Sequence, residues 1–447
     1  MKFKNVWPYL LFFFIICSWP FIYYPLTDGD ILHWLPIAKE IQSNFNFLTT
    51  VSFDQAHGPL LVWGSGIFAK VLFNSFYGYA FFNLALGVFG IWLTYYFSYK
   101  IWENESISKL ASFIMSTSLA FVYFARTPMY DLPATVMYFA FTGFYLLYVI
   151  KNKRKYLLLA LLFVGLGSLS RFSIVLGLSG IYLVSINIIY RRSIVKLITD
   201  GALVVLSPVL FNAPWLYGQY LVHGKEFMDT FMIDNFYRYI KEPGEGAKTY
   251  HNYYVFILYV FFGLIPHSFV VLISIFQKKT WSNIINNKVY QSLFAAFLPC
   301  LIVFSFSGHV KLGRYIAYVF PMLILFLSHH LFEFDLMNEK WRKKTLIATL
   351  STLVLICITF GLLIYKFPKE CSEAPLMVLG IIGVVCIPII TMFIIIRNNH
   401  EKFRENATAY LLPFLLVQLL FWSILAYESV HASFLTSIRD RVIQSIY

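Results

Sequence analysis

The chain has 447 residues, 59% of them hydrophobic and only 13% charged, with a formal net charge of +13. A soluble domain carries about 25% charged residues, so this composition excludes an ordinary soluble fold. The basic excess does not indicate a nucleic-acid partner either, because Lys and Arg sit in short clusters between apolar runs, the positive-inside pattern of a polytopic membrane protein.

Apolar runs near the ~20 residues that cross a hydrocarbon core recur from end to end. They must be helices, since lipid cannot satisfy exposed backbone groups. Spans are expected at 6–25, 78–99, 109–125, 133–150, 156–170, 172–190, 197–217, 253–276, 290–307, 313–332, 345–365, 375–396 and 408–427, about thirteen in all. The opening Met1-Lys2-Phe3-Lys4 resembles a signal peptide. Bulky Ser18-Trp19-Pro20 replaces the small-residue cleavage site, so a retained first helix is expected. The 156–190 stretch carries Arg171 in its middle and is long enough for two short helices.

Segment 58–74 is also apolar, and charge parity decides how it is read. With Lys2 and Lys4 cytoplasmic and 58–74 not crossing, the cytoplasmic connections receive Lys100 and Lys109, the run Lys151 to Lys155, and Arg191, Arg192 and Lys196. They also receive Lys278, Lys279 and Lys288, then Lys340, Arg342, Lys343 and Lys344, then Arg397, Lys402 and Arg404. That is most of the 35 basic residues and every dense cluster. A crossing at 58–74 would move the later clusters outside, against the positive-inside rule. Segment 58–74 is therefore expected as a juxtamembrane helix on the outer face. The implied organisation is one transmembrane domain over 1–427, with a first outer loop at 26–77, a further outer loop at 218–252 and a short outer tail at 428–447. Of the five cysteines, Cys17, Cys300, Cys357 and Cys386 lie in apolar runs and Cys371 in a polar loop, with no metal spacing or disulfide framework.

Five outer segments carry residues able to do chemistry. Asp28-Gly29-Asp30, with His33 close behind, follows the first helix. A carboxylate there can serve as general base on an acceptor hydroxyl or amine, or the pair can hold a divalent cation against a phosphate; a solvated helix end with a turn glycine reads the same way. His57-Gly58-Pro59-Leu60 is a rigid turn launching the interfacial helix, with an imidazole able to meet an anionic headgroup. Arg126 and Asp131 bracket a short turn beside lipid, where charge is costly; they suit either a ligand or each other. Arg238 is flanked by aromatics, ahead of a Pro-Gly-Glu-Gly stretch and Tyr253-Tyr254. Its planar fork suits phosphate. Finally, Lys311, Arg314 and Tyr315 form a basic cluster on the outer side, against the general trend. A lipid phosphate, as substrate or as bound headgroup, would account for it.

In this order, over roughly 1–330, the five segments resemble the GT-C superfamily of integral-membrane glycosyltransferases. The likeness is nearest to glycosyltransferase family 39 and its bacterial relatives, the protein O-mannosyltransferases and lipid A aminoarabinose transferases. The family's outer-loop acid falls at Asp28 or Asp30, its Lys-Pro-Pro-Leu turn at His57-Gly58-Pro59-Leu60, and its Arg-to-acid turn at Arg126 and Asp131. Its aromatic-Arg segment with Tyr-Tyr and Pro-Trp falls at Arg238, Tyr253, Tyr254 and Pro266-His267. Its basic-Arg-Tyr-Pro segment falls at Lys311, Arg314, Tyr315 and Pro321. The chain departs from the pattern with Asp-Gly-Asp for Asp-Glu, His57 for Lys and His267 for Trp. The resemblance implies an all-α GT-C-like bundle with outer-face juxtamembrane helices and an inverting transferase. The sugar would pass from a polyprenyl-phosphate donor to a lipid, glycan or protein acceptor at the outer face of the cytoplasmic membrane. Asp28, Asp30 and Asp131 would be catalytic, and His57, Arg126, Arg238, Lys311 and Arg314 would hold the donor phosphate. His33, Tyr253, Tyr254 and Tyr315 would line the substrates. No cofactor is implied beyond a divalent cation at Asp28 and Asp30. A transporter of lipid-linked sugars is the alternative, and it would need charges along a midplane path.

Overall fold

A computed structural model of the chain describes residues 5–18, 31–50, 57–72, 76–236, 255–265, 267–268, 277–306 and 313–333, together with positions 351, 358 and 390. Among these residues there is no strand. The helices are α1 (Trp7–Ser18), α2 (Ile31–Asn44), α3 (Leu60–Val71), α4 (Phe76–Trp102), α5 (Glu105–Thr117), α6 (Leu119–Arg126) and α7 (Asp131–Lys151). They continue with α8 (Arg154–Ser168), α9 (Phe172–Ile189), α10 (Ile194–Asn235), α11 (Val255–Gly263), α12 (Lys278–Asn286), α13 (Lys288–Phe306) and α14 (Phe320–Phe332), the last entered through a 3-10 turn at Gly313–Val319. The expectation of an all-α polytopic membrane protein holds.

The span list is corrected in several places. Among the described residues, six helical stretches are long and apolar enough to cross a membrane. The expected span at 109–125 is a broken pair, α5 and α6, bent by 60°. Ser118 between them is extended (φ −68, ψ 127), and its hydroxyl bonds back to the Ile114 carbonyl at 2.6 Å. The amide freed at Leu119 donates to Ile265 O at 3.0 Å, which is how an irregular backbone survives inside a membrane protein. That carbonyl comes from a second correction. Within the expected 253–276 span, α11 stops at Gly263 and gives way to a turn at 264–265 just before Pro266. The 156–190 stretch is two helices, and α8 has only 15 residues. At ~1.5 Å per residue it is shorter than a full crossing. Residues 218–235, expected as polar loop, continue α10 past a non-helical Gly224, because Phe227 and Phe231 make an apolar contact with Trp215. Helix α3 has 12 residues, too short to span. Of the expected spans at 345–365, 375–396 and 408–427, only positions 351, 358 and 390 are among the described residues.

Helix α7 is the buried centre, enclosed from Asp131 to Leu147. By contrast α10 leaves Ile194, Val195, Ile198, Val209 and Leu210 exposed, an apolar face suited to lipid. The two ends of α7 differ sharply. Its C-terminal end lies with the basic connections, where Lys151 pairs with exposed Glu103 at 2.9 Å and holds that carboxyl below its usual range by hydrogen bonding and charge. Close by, Arg192 Nη1 donates to Asp200 Oδ2 at 2.8 Å and the Tyr145 hydroxyl donates to the same oxygen at 2.9 Å. The N-terminal end of α7 carries the candidate site.

Candidate functional site

Asp131 begins α7, where the unpaired amides of a first helical turn favour a carboxylate. Pro133, two residues on, falls where the missing N–H costs nothing. The Asp131 side chain is fully buried. Its Oδ2 lies 3.4 Å from Arg171 Nη2 and 3.5 Å from Arg314 Nε. Two guanidiniums from distant parts of the sequence thus share one buried carboxylate oxygen.

Arg171 is the tip of the α8–α9 hairpin. That tip is tied to the start of α7 by Ser170 Oγ donating to Tyr130 O at 2.7 Å. It is tied to the start of α3 by Leu60 N donating to Leu169 O at 2.8 Å. The second contact demands glycine: a Cβ on Gly58 would stand 2.2 Å from Leu169 O. The turn launching α3 therefore lies directly on the hairpin tip, which brings His57 to Arg171. Arg171 Nη1 is 3.0 Å from His57 Nε2 and 3.4 Å from Nδ1. A guanidinium has no lone pair, so the imidazole accepts. Tyr130 completes the group, with its ring edge-on to His57 at 5.0 Å and beneath the Arg171 guanidinium at 5.6 Å.

Arg314 arrives on the 3-10 turn that leads into α14, with its guanidinium 5.9 Å from the Tyr315 ring. Tyr315 itself stacks on Phe304 at 5.8 Å and 17°. Arg126 ends α6 and is buried. Four residues singled out from sequence, His57, Asp131, Arg314 and Tyr315, thus belong to one region at the N-terminal end of α7. His33 is exposed on α2. Asp28, Asp30, Arg238, Tyr253, Tyr254 and Lys311 lie outside the described residues. Among the described residues, no group of three or more His, Cys, Asp or Glu is placed to hold a metal ion.

Arg171 is not among the residues that the motifs select. Its signal is present in the sequence, an arginine interrupting an apolar stretch. Chemically, among the described residues the group sets two guanidiniums on one buried acid, and guanidinium forks suit phosphate oxygens.

Comparison with known proteins bears on the fold. Residues 56–215 match a family model described as dolichyl-phosphate-mannose-protein mannosyltransferase. Over 340 residues the chain is 25% identical to an uncharacterized protein of Aquifex aeolicus, covering 73% of this chain and 63% of that protein. Over 257 residues it is 23% identical to the undecaprenyl phosphate-alpha-4-amino-4-deoxy-L-arabinose arabinosyl transferase of Aeromonas hydrophila, covering 55% of this chain and 46% of that protein. The matched stretch is thus under two thirds of the length of each of these relatives. Crystal structures of ArnT from Cupriavidus metallidurans superpose with TM-scores of 0.72 in the apo state and 0.71 bound to undecaprenyl phosphate. Sequence identity is 14% and 15%, over 95% of this chain and 77% of that one. The chain shares its fold with these ArnT structures, the fold that the motif order implied.

Proposed function

We propose that this GT-C-fold chain is an inverting glycosyltransferase that moves a sugar from a polyprenyl-phosphate donor to a lipid, glycan or protein acceptor, at the outer face of the cytoplasmic membrane. The observation that carries the reading is the pair of guanidiniums, Arg171 and Arg314, held on the buried Asp131 at one end of α7. A prenyl phosphate leaving group gains charge as its bond to the sugar breaks, and prepositioned cations in a dry site stabilise such charge strongly. The relatives' names supply the substrate class: one is an undecaprenyl-phosphate arabinosyl transferase, and ArnT has been crystallised with undecaprenyl phosphate.

In this reading an acceptor oxygen or nitrogen attacks the anomeric carbon opposite the phosphate. The carbon–oxygen bond to phosphate breaks, and its electron pair stays on the phosphate. Arg171 and Arg314, joined by Arg126, Arg238 and Lys311, take up that charge. Asp28 or Asp30 accepts the acceptor proton, with or without a divalent cation between them. Asp131 acts on the guanidiniums, fixing their direction. This differs from the role in orienting acceptor or base that the motif alone suggested. His57, where relatives of this pattern carry Lys, accepts from Arg171, so the cationic part of that motif comes from the hairpin tip.

Membranes carrying the double variant Asp28→Asn/Asp30→Asn, supplied with undecaprenyl-phosphate-linked sugars, should insert the protein normally and transfer no sugar. Full transfer by the double variant would overturn the mechanism. A transporter, the competing reading, would move donor across the bilayer without producing undecaprenyl phosphate. Release of undecaprenyl phosphate in step with sugar transfer therefore separates the two.

A further inference from the structure

Helix α12 (Lys278–Asn286) takes no part in the arginine group and stands at the other end of the bundle. Its inner side is fixed to the last turn of α14: Thr280 is buried, and its Oγ1 lies 3.2 Å from His330 Nε2. Arg314 lies at the opposite end of the 19-residue span Arg314–Phe332, about the thickness of a hydrocarbon core away. Only Asn287 separates α12 from Lys288, where the crossing helix α13 begins. The Asn287 side chain caps that helix, its Oδ1 accepting from Val289 N at 2.8 Å. The C-terminal end of α12 is therefore held at the level where α13 leaves the bilayer.

Successive residues of a helix turn by about 100° round its axis, and the side chains of α12 fall into an ordered set of sectors. Gln277, at the N-cap, and Thr280 are buried, and Ile284 packs on the core, so this sector faces the bundle. Next round come Trp281 and Ile285, one turn apart, 49% and 68% exposed. Exposed Lys278 follows, and then exposed Ser282 and Asn286, whose side chains hydrogen-bond each other at 3.3 Å. Round the helix the order is bundle, apolar, cationic, polar. A helix lying in a membrane surface meets protein, acyl chains, headgroups and water in that same order. The charge agrees. Past the other end of α12 the Lys288 ammonium stands 5.4 Å over the Tyr190 ring, beside exposed Arg191. Neither 271–310 nor 183–199 contains an acidic residue, so these cations complement an anionic surface.

We infer that α12 lies in the plane of the cytoplasmic leaflet, with Trp281 and Ile285 among the acyl chains and Lys278 and Lys288 on the headgroups of anionic phospholipid. The occupant is bilayer phospholipid and not the sugar donor, because the arginine group lies across the membrane. The inference is independent of the glycosyltransferase reading. Full-length protein in a background free of other reactive thiols would carry a nitroxide at Trp281→Cys, Ser282→Cys or Ile285→Cys, in nanodiscs of an equal mixture of phosphatidylcholine and phosphatidylglycerol. Labels at 281 and 285 should collide preferentially with oxygen, which concentrates among acyl chains, and the label at 282 with a water-soluble nickel chelate. Chelate access at all three positions puts the apolar face in water, and shielding of 281 and 285 from both reagents puts it under a protein. Either result overturns the inference. An environment-sensitive dye on Ile285→Cys, in detergent-solubilised protein, would then report the local arrival of lipid. Half-saturation should need about tenfold or more less phosphatidylglycerol than phosphatidylcholine, since each surface cation contributes about fivefold. Adding Lys278→Gln and Lys288→Gln together should bring the two lipids within about twofold of each other. Equal half-saturation in the protein that keeps both lysines overturns the anionic choice, as does a preference that survives their loss. The comparison of lipids with both lysines present decides the matter even where the double substitution fails to fold.

Discussion

Replacing Arg171 with Gln removes a cation that touches both Asp131 and His57. At 3.4 Å from the carboxylate, and with an effective dielectric near 20, the direct attraction is about 5 kcal/mol before desolvation is subtracted. Stranding a buried charge costs about 3–5 kcal/mol. Asp131 is not stranded here, because Arg314 remains 3.5 Å away on the same oxygen. The net loss of stability should therefore be smaller, about 1–3 kcal/mol, which a domain stable by ~5–15 kcal/mol survives. Catalysis should suffer more. Loss of one prepositioned donor to a developing oxyanion costs about 100- to 1000-fold in rate. Arg171→Lys keeps the charge but not the fork, so it should recover about tenfold of that loss, since part of the effect is charge and part is geometry. The assay is sugar transfer from an undecaprenyl-phosphate-linked donor in membranes, with undecaprenyl phosphate affinity measured on purified protein. If Arg171→Gln transfers and binds like wild type, Arg171 is only a structural tie at the hairpin tip.

Three further outcomes are expected. Gly58→Ala forces the α3 turn off Leu169 and carries His57 away from Arg171; transfer should fall about 10- to 100-fold, as misplacements near 1 Å do, and a lower melting temperature should accompany it. Asp200→Asn removes the carboxylate held at 2.8 Å by Arg192, and should cost about 3–5 kcal/mol in thermal unfolding. Below its melting temperature that variant should bind undecaprenyl phosphate as wild type does. A single cysteine at position 30, in a background free of other reactive thiols, should react with an impermeant thiol reagent added outside intact cells; labelling from the cytoplasmic side alone would reverse the topology.

Much of the fold was legible because lipid imposes so few solutions. An apolar run must be a helix, and basic clusters report which side its ends lie on, so α4, α7, α9 and α13 fall close to their expected limits. The misreadings share a cause. Hydropathy registers the stretch around Thr117 and Ser118 only as an apolar average, and it cannot register that the chain turns there by 60° where Ile265 offers a carbonyl. It likewise ends α10 where the polar residues begin, because the burial of Phe227 and Phe231 against Trp215 is a tertiary fact. The same division holds at the site. Asp131 and Arg314 were visible as charges beside lipid. Their shared partner Arg171 was visible only as an oddity, since a sequence does not show that the turn after Ser168 rests on Gly58.

The two ends of α7 present nearly the same inventory, an aspartate, arginine and tyrosine buried together, yet they suit opposite tasks. At the C-terminal end, Asp200 holds Arg192 at 2.8 Å and the Tyr145 hydroxyl at 2.9 Å, and Asn187 Nδ2 reaches that hydroxyl at 3.1 Å. Those are short, charge-assisted bonds that join α7, α9 and α10, and an incoming anion would have to break them. At the N-terminal end the contacts of Asp131 are 3.4 and 3.5 Å, to two arginines that face one oxygen. Each guanidinium is close enough to be held by the carboxylate and too far to be saturated by it. Among the described residues two guanidiniums meet one carboxylate here, where Arg192 and Asp200 pair one to one. The distinction between lock and site therefore lies in bond length and charge balance, not in which residues are present.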